Sequence, residues 1–392
     1  MPDSRTIVGL SVAHLVTDLY GPALPAIMSF LILTFGYTYF AAGLLVTVYN
    51  LVSSFAQPGI GWIHDRKGAQ LPVALSILIC GIFISLLGVA SGYGVILAFC
   101  GIAAIGHAAF HPVALSLTGR GSTDENRGRV LSYFVVGGNL GFALGPLAAG
   151  AAIGFFGRGG ILLMALPAIA TAVTLYLLLP PTPPRRDPPP CRPSGEQRVS
   201  VPAIAWTPLV ILVTAASLRS MVIFGSIAFL PTYLAQGGLG LLAANTLLTL
   251  MLLAGVGGQV LGGAASDRSG RKETILVGMT GTTVFLAGFL LLPGPAGILS
   301  LMLFGFSLWS SFSVTLAISH ELLPGNLGLA SGLLLGLSMG AGGLGVALIG
   351  ALGDAIGLAG ALWTLLGITL VATVLFIVIP YPWKGRVRSQ AL

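Results

Sequence analysis

Gly61-Trp62-Ile63-His64-Asp65-Arg66-Lys67-Gly68 and Gly263-Ala264-Ala265-Ser266-Asp267-Arg268-Ser269-Gly270 share one pattern, Gly-x-x-x-Asp-Arg-x-Gly, 202 residues apart. Each copy follows a long apolar run. A half-chain repeat inside a very hydrophobic sequence predicts two related membrane halves, a construction common among transporters.

Composition agrees. Of 392 residues, 55% are hydrophobic and only 7% charged, and the mean hydropathy is +0.98; a soluble domain carries roughly 25% charged residues. Apolar stretches of about 20 residues, enough to cross roughly 30 Å of hydrocarbon, recur throughout. They predict twelve spans: 6–32, 39–63, 70–91, 93–117, 130–154, 159–179, 206–235, 240–265, 273–293, 296–319, 327–352 and 359–380. The stretches are too long, and too evenly apolar, for barrel strands. The fold class is therefore all-α and polytopic, with an N-terminal six-helix bundle (1–179), a linker (180–202) and a C-terminal six-helix bundle (203–392). The linker holds nine prolines together with Arg185, Arg186 and Asp187, and reads as an extended connector that lets the halves rock.

Orientation follows from Lys and Arg. In this topology 16 of the 18 fall on one side, which becomes the cytoplasmic one and receives both termini and the linker; Arg158 lies on the other side and Arg219 within a span. That bias accounts for the net charge of +7, so no nucleic-acid partner is read into it. Arg5 precedes a first span too long for a signal-peptide core, and no small-residue cleavage site follows. Cys80 and Cys100 lie in spans and Cys191 in the linker, a spacing that fits neither a disulfide framework nor a metal site. No cofactor is expected. Trp62, Trp206 and Trp383 fall at the cytoplasmic boundary as interface anchors.

In the repeated loop, the glycines permit a tight turn and close helix approach. Asp65 and Asp267 can face a helix N-terminus, while Arg66 and Arg268 stay on the basic side. Asp65, Arg66, Gly68, Asp267, Arg268 and Gly270 are thus candidate gating residues. The fifth span holds Gly137-Gly138-Asn139-Leu140-Gly141-Phe142-Ala143-Leu144-Gly145-Pro146. Pro146 removes a backbone donor and bends the helix. Glycines four apart admit a close partner, which adds Gly145 and Pro146 to the gating set.

Ionisable residues within the spans are few, and each is informative: His14 and Asp18 in the first, His107 and His111 in the fourth, Arg219 in the seventh, and His320-Glu321 closing the tenth. His14/Asp18 and His107/His111 are each four apart, so each pair shares a helix face. At about 1.5 Å per residue, Asp18, His107 and Arg219 occupy one middle layer. An aspartate and histidines in low dielectric can exchange protons near neutral pH, so Asp18, His14, His107 and His111 are candidate proton-coupling groups. Arg219 can hold an anion in a bidentate contact. With Asp18, His107 and the mid-span Trp309 it forms the candidate substrate set, and Glu321 is a gating candidate at the cytoplasmic end.

The repeated loop resembles the signature loop of the major facilitator superfamily, with one departure: Ala69-Gln70 stand where the second copy keeps Arg271-Lys272. Ala13-His14-Leu15-Val16-Thr17-Asp18, Tyr49 to Pro58, Phe110-His111-Pro112, the Gly137–Pro146 run, Glu321 to Gly325, Ala330-Ser331-Gly332 and Gly342-Gly343-Leu344-Gly345 together resemble the fosmidomycin resistance family within it. The resemblance covers almost all of the chain apart from the linker. It implies that the first, fourth, seventh and tenth helices line a central cavity, and that the protein exports a small phosphonate-like drug across a bacterial or archaeal inner membrane in exchange for protons. Val113 departs from the glutamate familiar in that family, and Cys100 lies near the position of an arginine found in many drug antiporters.

The leading expectation is a monomeric secondary transporter, not an enzyme, that moves a small anionic or amphiphilic solute outward by alternating access, with protons and the lipid bilayer as its other partners. The alternative is a proton-coupled importer of an organic acid or phosphorylated metabolite. A membrane sensor without transport is the least favoured reading.

Overall fold

A computed structural model describes residues 4–67, 73–120, 127–178, 206–323 and 326–382. The described residues are helical almost throughout: α1 (Ser4–Phe35), α2 (Tyr39–Lys67), α3 (Val73–Ser85), α4 (Tyr93–Arg120), α5 (Arg127–Phe156), α6 (Ala165–Leu178), α7 (Trp206–Gln236), α8 (Leu241–Ser269), α9 (Arg271–Leu291), α10 (Gly294–Ser310), α11 (Phe312–Leu322), α12 (Leu327–Ser331) and α13 (Ser338–Val378). Among the described residues, nine apolar stretches are long enough to cross a membrane. Two of them, Arg129–Leu177 and Leu329–Val378, each contain a pair of crossings, and the shorter Val73–Gly88 supplies the twelfth. The linker and Cys191 lie outside the described residues.

The helix breaks have local causes. α10 and α11 form one crossing interrupted at Ser311, where the Ser310, Ser311 and Thr315 hydroxyls bond back to carbonyls three residues earlier and compete with the helix ladder. A π-helical turn, Gly332–Leu337, joins α12 to α13. α13 reverses at Gly357, whose φ of +79° suits a residue without Cβ.

The packing shows the two-fold repeat. In the first half α1 runs along α5, α2 along α4 and α3 along α6. In the second half α7 runs along the first part of α13, α8 along α10, and α9 against α13. The halves meet through α2 against α13 and α5 against α8, again an equivalent pair. Glycines set the closest approaches. A Cβ at Gly137, Gly141 or Gly145 of α5 would strike the carbonyl oxygens of Ser11, Leu15 and Leu19 of α1 in turn. The four-residue steps match on both helices, as expected for a small-residue seam between helices running the same way.

At the end away from the repeated loop, the halves are bonded across the interface: Thr232 donates to Ser29 (2.8 Å), Gln236 to the Tyr39 hydroxyl (2.8 Å), and the backbone N–H of Leu147 to Thr249 (3.1 Å). Asp354 of α13 accepts the N–H groups of Tyr39 (2.7 Å) and Phe40 (2.9 Å) at the start of α2.

Candidate functional site

A cavity of about 550 Å³ lies between the halves, within the range of small-molecule sites. Its lining runs from Asp18, Gly21 and Pro25 of α1 along α2 from Val46 to Pro58, and across to the π turn and Met339. It therefore extends toward the end that carries the repeated loop. Pro22, also on the wall, has no N–H to offer the Asp18 carbonyl four residues back.

Asp18 is the one carboxylate on this wall among the described residues, and two histidines hold it. His14 Nε2 is 3.1 Å from Asp18 Oδ2, and His111 Nε2 is 3.2 Å from Oδ1. The second contact is close but poorly directed, because Oδ1 has no aligned hydrogen-bond donor. Both rings are anchored from behind. His14 Nδ1 lies 2.8 Å from the Phe134 carbonyl, and His111 Nδ1 lies 3.1 Å from the His107 carbonyl. A carbonyl can only accept, so each Nδ1 carries the hydrogen and each Nε2 faces the carboxylate. A neutral ring would then set a lone pair against a carboxylate oxygen. A proton placed between ring and carboxylate removes that repulsion.

His14 is buried, at 8% exposure, and stacks on Phe134 with centroids 4.1 Å apart. His107 is on the cavity wall, 4.7 Å from the His111 ring and 5.5 Å from the Tyr49 ring; its Nδ1 has no partner. Tyr49 caps this corner, with its hydroxyl 3.6 Å from Cys80 Sγ.

Arg219 lies off the cavity wall. It is 1% exposed, and its Nη1 donates to Ser311 Oγ (3.1 Å) and Thr315 Oγ1 (3.2 Å), the hydroxyls beside the α10–α11 break. Nε has no partner, and no described carboxylate is within ion-pair distance. Phe312 lines the cavity, and its ring centroid is 5.3 Å from the guanidinium carbon. The cation thus sits behind an aromatic panel, a contact worth about 0.5–2 kcal/mol. Trp309 lines a smaller neighbouring cavity of about 170 Å³, which Asp18 and Phe312 also border. It meets Phe142 of the other half edge to face, 5.7 Å away.

The gating candidates other than Gly145 and Pro146 are at the helix ends. Gly270 joins α8 to α9 with φ +112°, a conformation that favours glycine. Asp267 is bound by Arg271 (2.7 Å), which also donates from Nε to Glu321 (3.1 Å); Arg268 is exposed. Tyr381 donates to the other Glu321 oxygen, and burial together with that carboxylate pushes its phenol pKa up. His320 pairs with Ser331 (2.7 Å) across the turn into α12. Gly145 belongs to the α1–α5 seam, and Pro146 follows it inside α5. In the first copy of the loop, the Asp65 and Arg66 side chains and Gly68 lie outside the described residues.

Several residues here were not predicted. Phe312 lines the cavity but looks like an ordinary helix residue in the sequence; Tyr49, Asn50, Ser53 and Gln57 also line it and lie in the Tyr49–Pro58 stretch that carries the family resemblance, to which no site role was given. Asp354 had a readable signal, a lone acid near the end of a very apolar span.

The Major Facilitator Superfamily model matches residues 6–334 and 244–392. The chain is 30% identical over 371 residues to the fosmidomycin resistance protein of Escherichia coli (strain K12), covering 90% of this chain and 88% of that one. It is 30% identical over 363 residues to the uncharacterized MFS-type transporter YfnC of Bacillus subtilis (strain 168), covering 90% and 87%. Among solved structures, it superposes on a bacterial homolog of the human lysosomal transporter Spinster, in an inward-facing and unoccupied conformation, with a TM-score of 0.80 at 17% identity over 96% of both chains. The nucleoside transporter NupG gives 0.75 at 13% identity, over 96% of this chain and 100% of that one. With two equivalent sets of membrane-crossing helices around a central cavity, and with these relatives, the chain belongs to the Major Facilitator Superfamily of membrane transporters.

Proposed function

We propose that this transporter is a proton-coupled exporter of a small anionic or amphiphilic drug-like solute, with fosmidomycin as the first candidate because a relative's name carries it. It acts as a monomer in a bacterial or archaeal inner membrane, with both termini and the loop-bearing end of the cavity cytoplasmic. Residues 1–179 and 203–392 rock about the cavity, joined by 180–202. The observation that carries the reading is Asp18, the wall's only described carboxylate, clasped between two histidines whose other nitrogens are already committed.

A polar group of the solute that reaches between Asp18 and His111 takes the place of the proton joining them. Solute and that proton then exclude each other, which is the condition for exchange. Arg219 supplies the fixed positive charge an anion needs, once Phe312 moves aside. Release of the solute on the far side lets a proton return to the triad, and the reloaded site resets the halves.

The test is solute movement in reconstituted vesicles under an imposed pH gradient. Wild-type protein should drive the solute up its gradient against proton flow. Asp18→Asn should lose proton-driven movement while keeping its elution profile, melting temperature and solute exchange without a gradient. Normal uphill transport by Asp18→Asn would defeat the assignment. Movement of solute with the protons would replace export by the importer reading. Any pH profile is shared by the groups facing Asp18: His14 on its own helix, His107 and His111 from α4, and Tyr49 from α2.

A further inference from the structure

The donor atoms of His14, Asp18 and His111 all lie within 4.8 Å of one another. The two nitrogen–oxygen separations, 3.1 Å from His14 Nε2 to Asp18 Oδ2 and 3.2 Å from His111 Nε2 to Oδ1, are edge lengths of a site in which the carboxylate binds through both oxygens. With bonds of about 2.1 Å, adjacent ligands are about 3.0 Å apart in an octahedral site and about 3.4 Å apart in a tetrahedral one. Both imidazoles donate Nδ1–H to a backbone carbonyl. That is the outer-shell partner typical of metal-bound histidine, and it leaves Nε2 as the ligating atom. The misdirected His111–Asp18 contact is awkward for a hydrogen bond. It is acceptable where both atoms point at a third body between them.

Two further features leave room for that body. A Cβ at Gly138 of α5 would come within 2.5 Å of His14 Nε2 and 2.8 Å of Asp18 Oδ2, so the glycine keeps the space beside two of the donor atoms clear. Asp18 and His111 also line the large cavity, which offers an entry path and open coordination positions for water.

We propose that His14, Asp18 and His111 form a binding site for one divalent transition-metal ion of the imidazole-preferring class, such as Zn²⁺, Ni²⁺ or Co²⁺, entered from the cavity. Two imidazoles and one carboxylate favour these ions. Mg²⁺ and Ca²⁺ prefer full oxygen shells. A divalent ion with two neutral imidazoles and a carboxylate carries a net charge of +1. The inference rests on the reading of this triad as the coupling site and gives it a competitor: the bound ion should block proton-driven transport.

The experiment is titration of the purified full-length protein with Co²⁺ alone, followed by its visible absorption and by metal analysis after desalting. One Co²⁺ per chain is expected, with X-ray absorption showing two imidazole ligands. Asp18→Asn and His111→Gln should each weaken binding by at least about tenfold, and His320→Gln should leave it unchanged. Gly138→Ala, which replaces no ligand but sets a methyl group against His14 Nε2 and Asp18 Oδ2, should also weaken it. The melting temperature of each variant separates loss of the site from loss of the fold. Wild-type protein without stoichiometric Co²⁺, or Co²⁺ affinity undiminished in Asp18→Asn, overturns the proposal. Proton-driven transport in a protein that binds no Co²⁺ removes the metal site alone. Tight Co²⁺ binding in a protein that never couples to protons removes the coupling reading alone.

Discussion

The guanidinium of Arg219 is buried with two hydroxyls and an aromatic face but no described counter-charge. Burying a cation without an anion is costly, and the proposed anionic solute would relieve that cost. Arg219→Lys keeps the charge but loses the planar fork; Arg219→Ala loses both. Transport of an anionic solute should therefore fall in the order wild type, Lys, Ala, with KM rising about tenfold or more for Ala, the loss expected for a charge-assisted bond of about 1.5–3 kcal/mol. A neutral solute should be spared. Concentration-dependent uptake into inverted vesicles measures both, and equal losses would make Arg219 a structural residue. The sequence showed that Asp18, His107, His111 and Arg219 are ionisable groups at membrane depth, because charge in an apolar run is conspicuous. It did not show that Phe312 stands between Arg219 and the cavity, because a phenylalanine in a membrane helix carries no distinguishing signal.

At the scale of the element, the α1–α5 seam positions the site. Gly137, Gly141 and Gly145 let α5 ride on the backbone of α1, and Gly138 leaves room for His14 and Asp18. Even an alanine at Gly141 would press on the Leu15 carbonyl, so Gly141→Val should force the helices apart. A destabilisation of about 1–3 kcal/mol is expected from such overpacking, with transport lost as Asp18 moves. Gly257→Ala on α8 has open space around it and should melt like wild type. Thermal unfolding in detergent distinguishes the two; equal melting temperatures would remove the seam from the account. The glycine run announced a close helix contact in the sequence. Its partner could not be read there, because four-residue spacing marks a face and says nothing of what the face meets.

At the scale of the whole molecule, the cavity between the halves extends toward the loop-bearing end, and the halves are bonded at the other. Asp354 bonds two N–H groups at the start of α2, where the helix dipole adds to the attraction. Charge-assisted bonds of this kind are worth about 1.5–3 kcal/mol, and every 1.4 kcal/mol is about tenfold in an equilibrium. Asp354→Ala should accordingly shift the protein toward the conformation open at the opposite end. Labelling of Ser29→Cys, buried at that end beside Thr232, by an impermeant maleimide should speed up about tenfold or more. An unchanged rate would mean that Asp354 is no part of the closure.

The sequence alone determined the membrane class, the twelve crossings, the two-fold repeat and the identity of the buried ionisable groups. Each of these is written in local hydropathy, in residue spacing or in a motif that recurs at half-chain distance. Only the tertiary structure decided that His14 and His111, from different helices, clasp one carboxylate through Nε2, that Arg219 lies behind Phe312, and that Asp354 ties α13 to α2. Those facts depend on which helix faces meet. In lipid, apolar faces meet by shape and by a few hydrogen bonds rather than by hydrophobic pattern, so a uniformly apolar sequence does not disclose them.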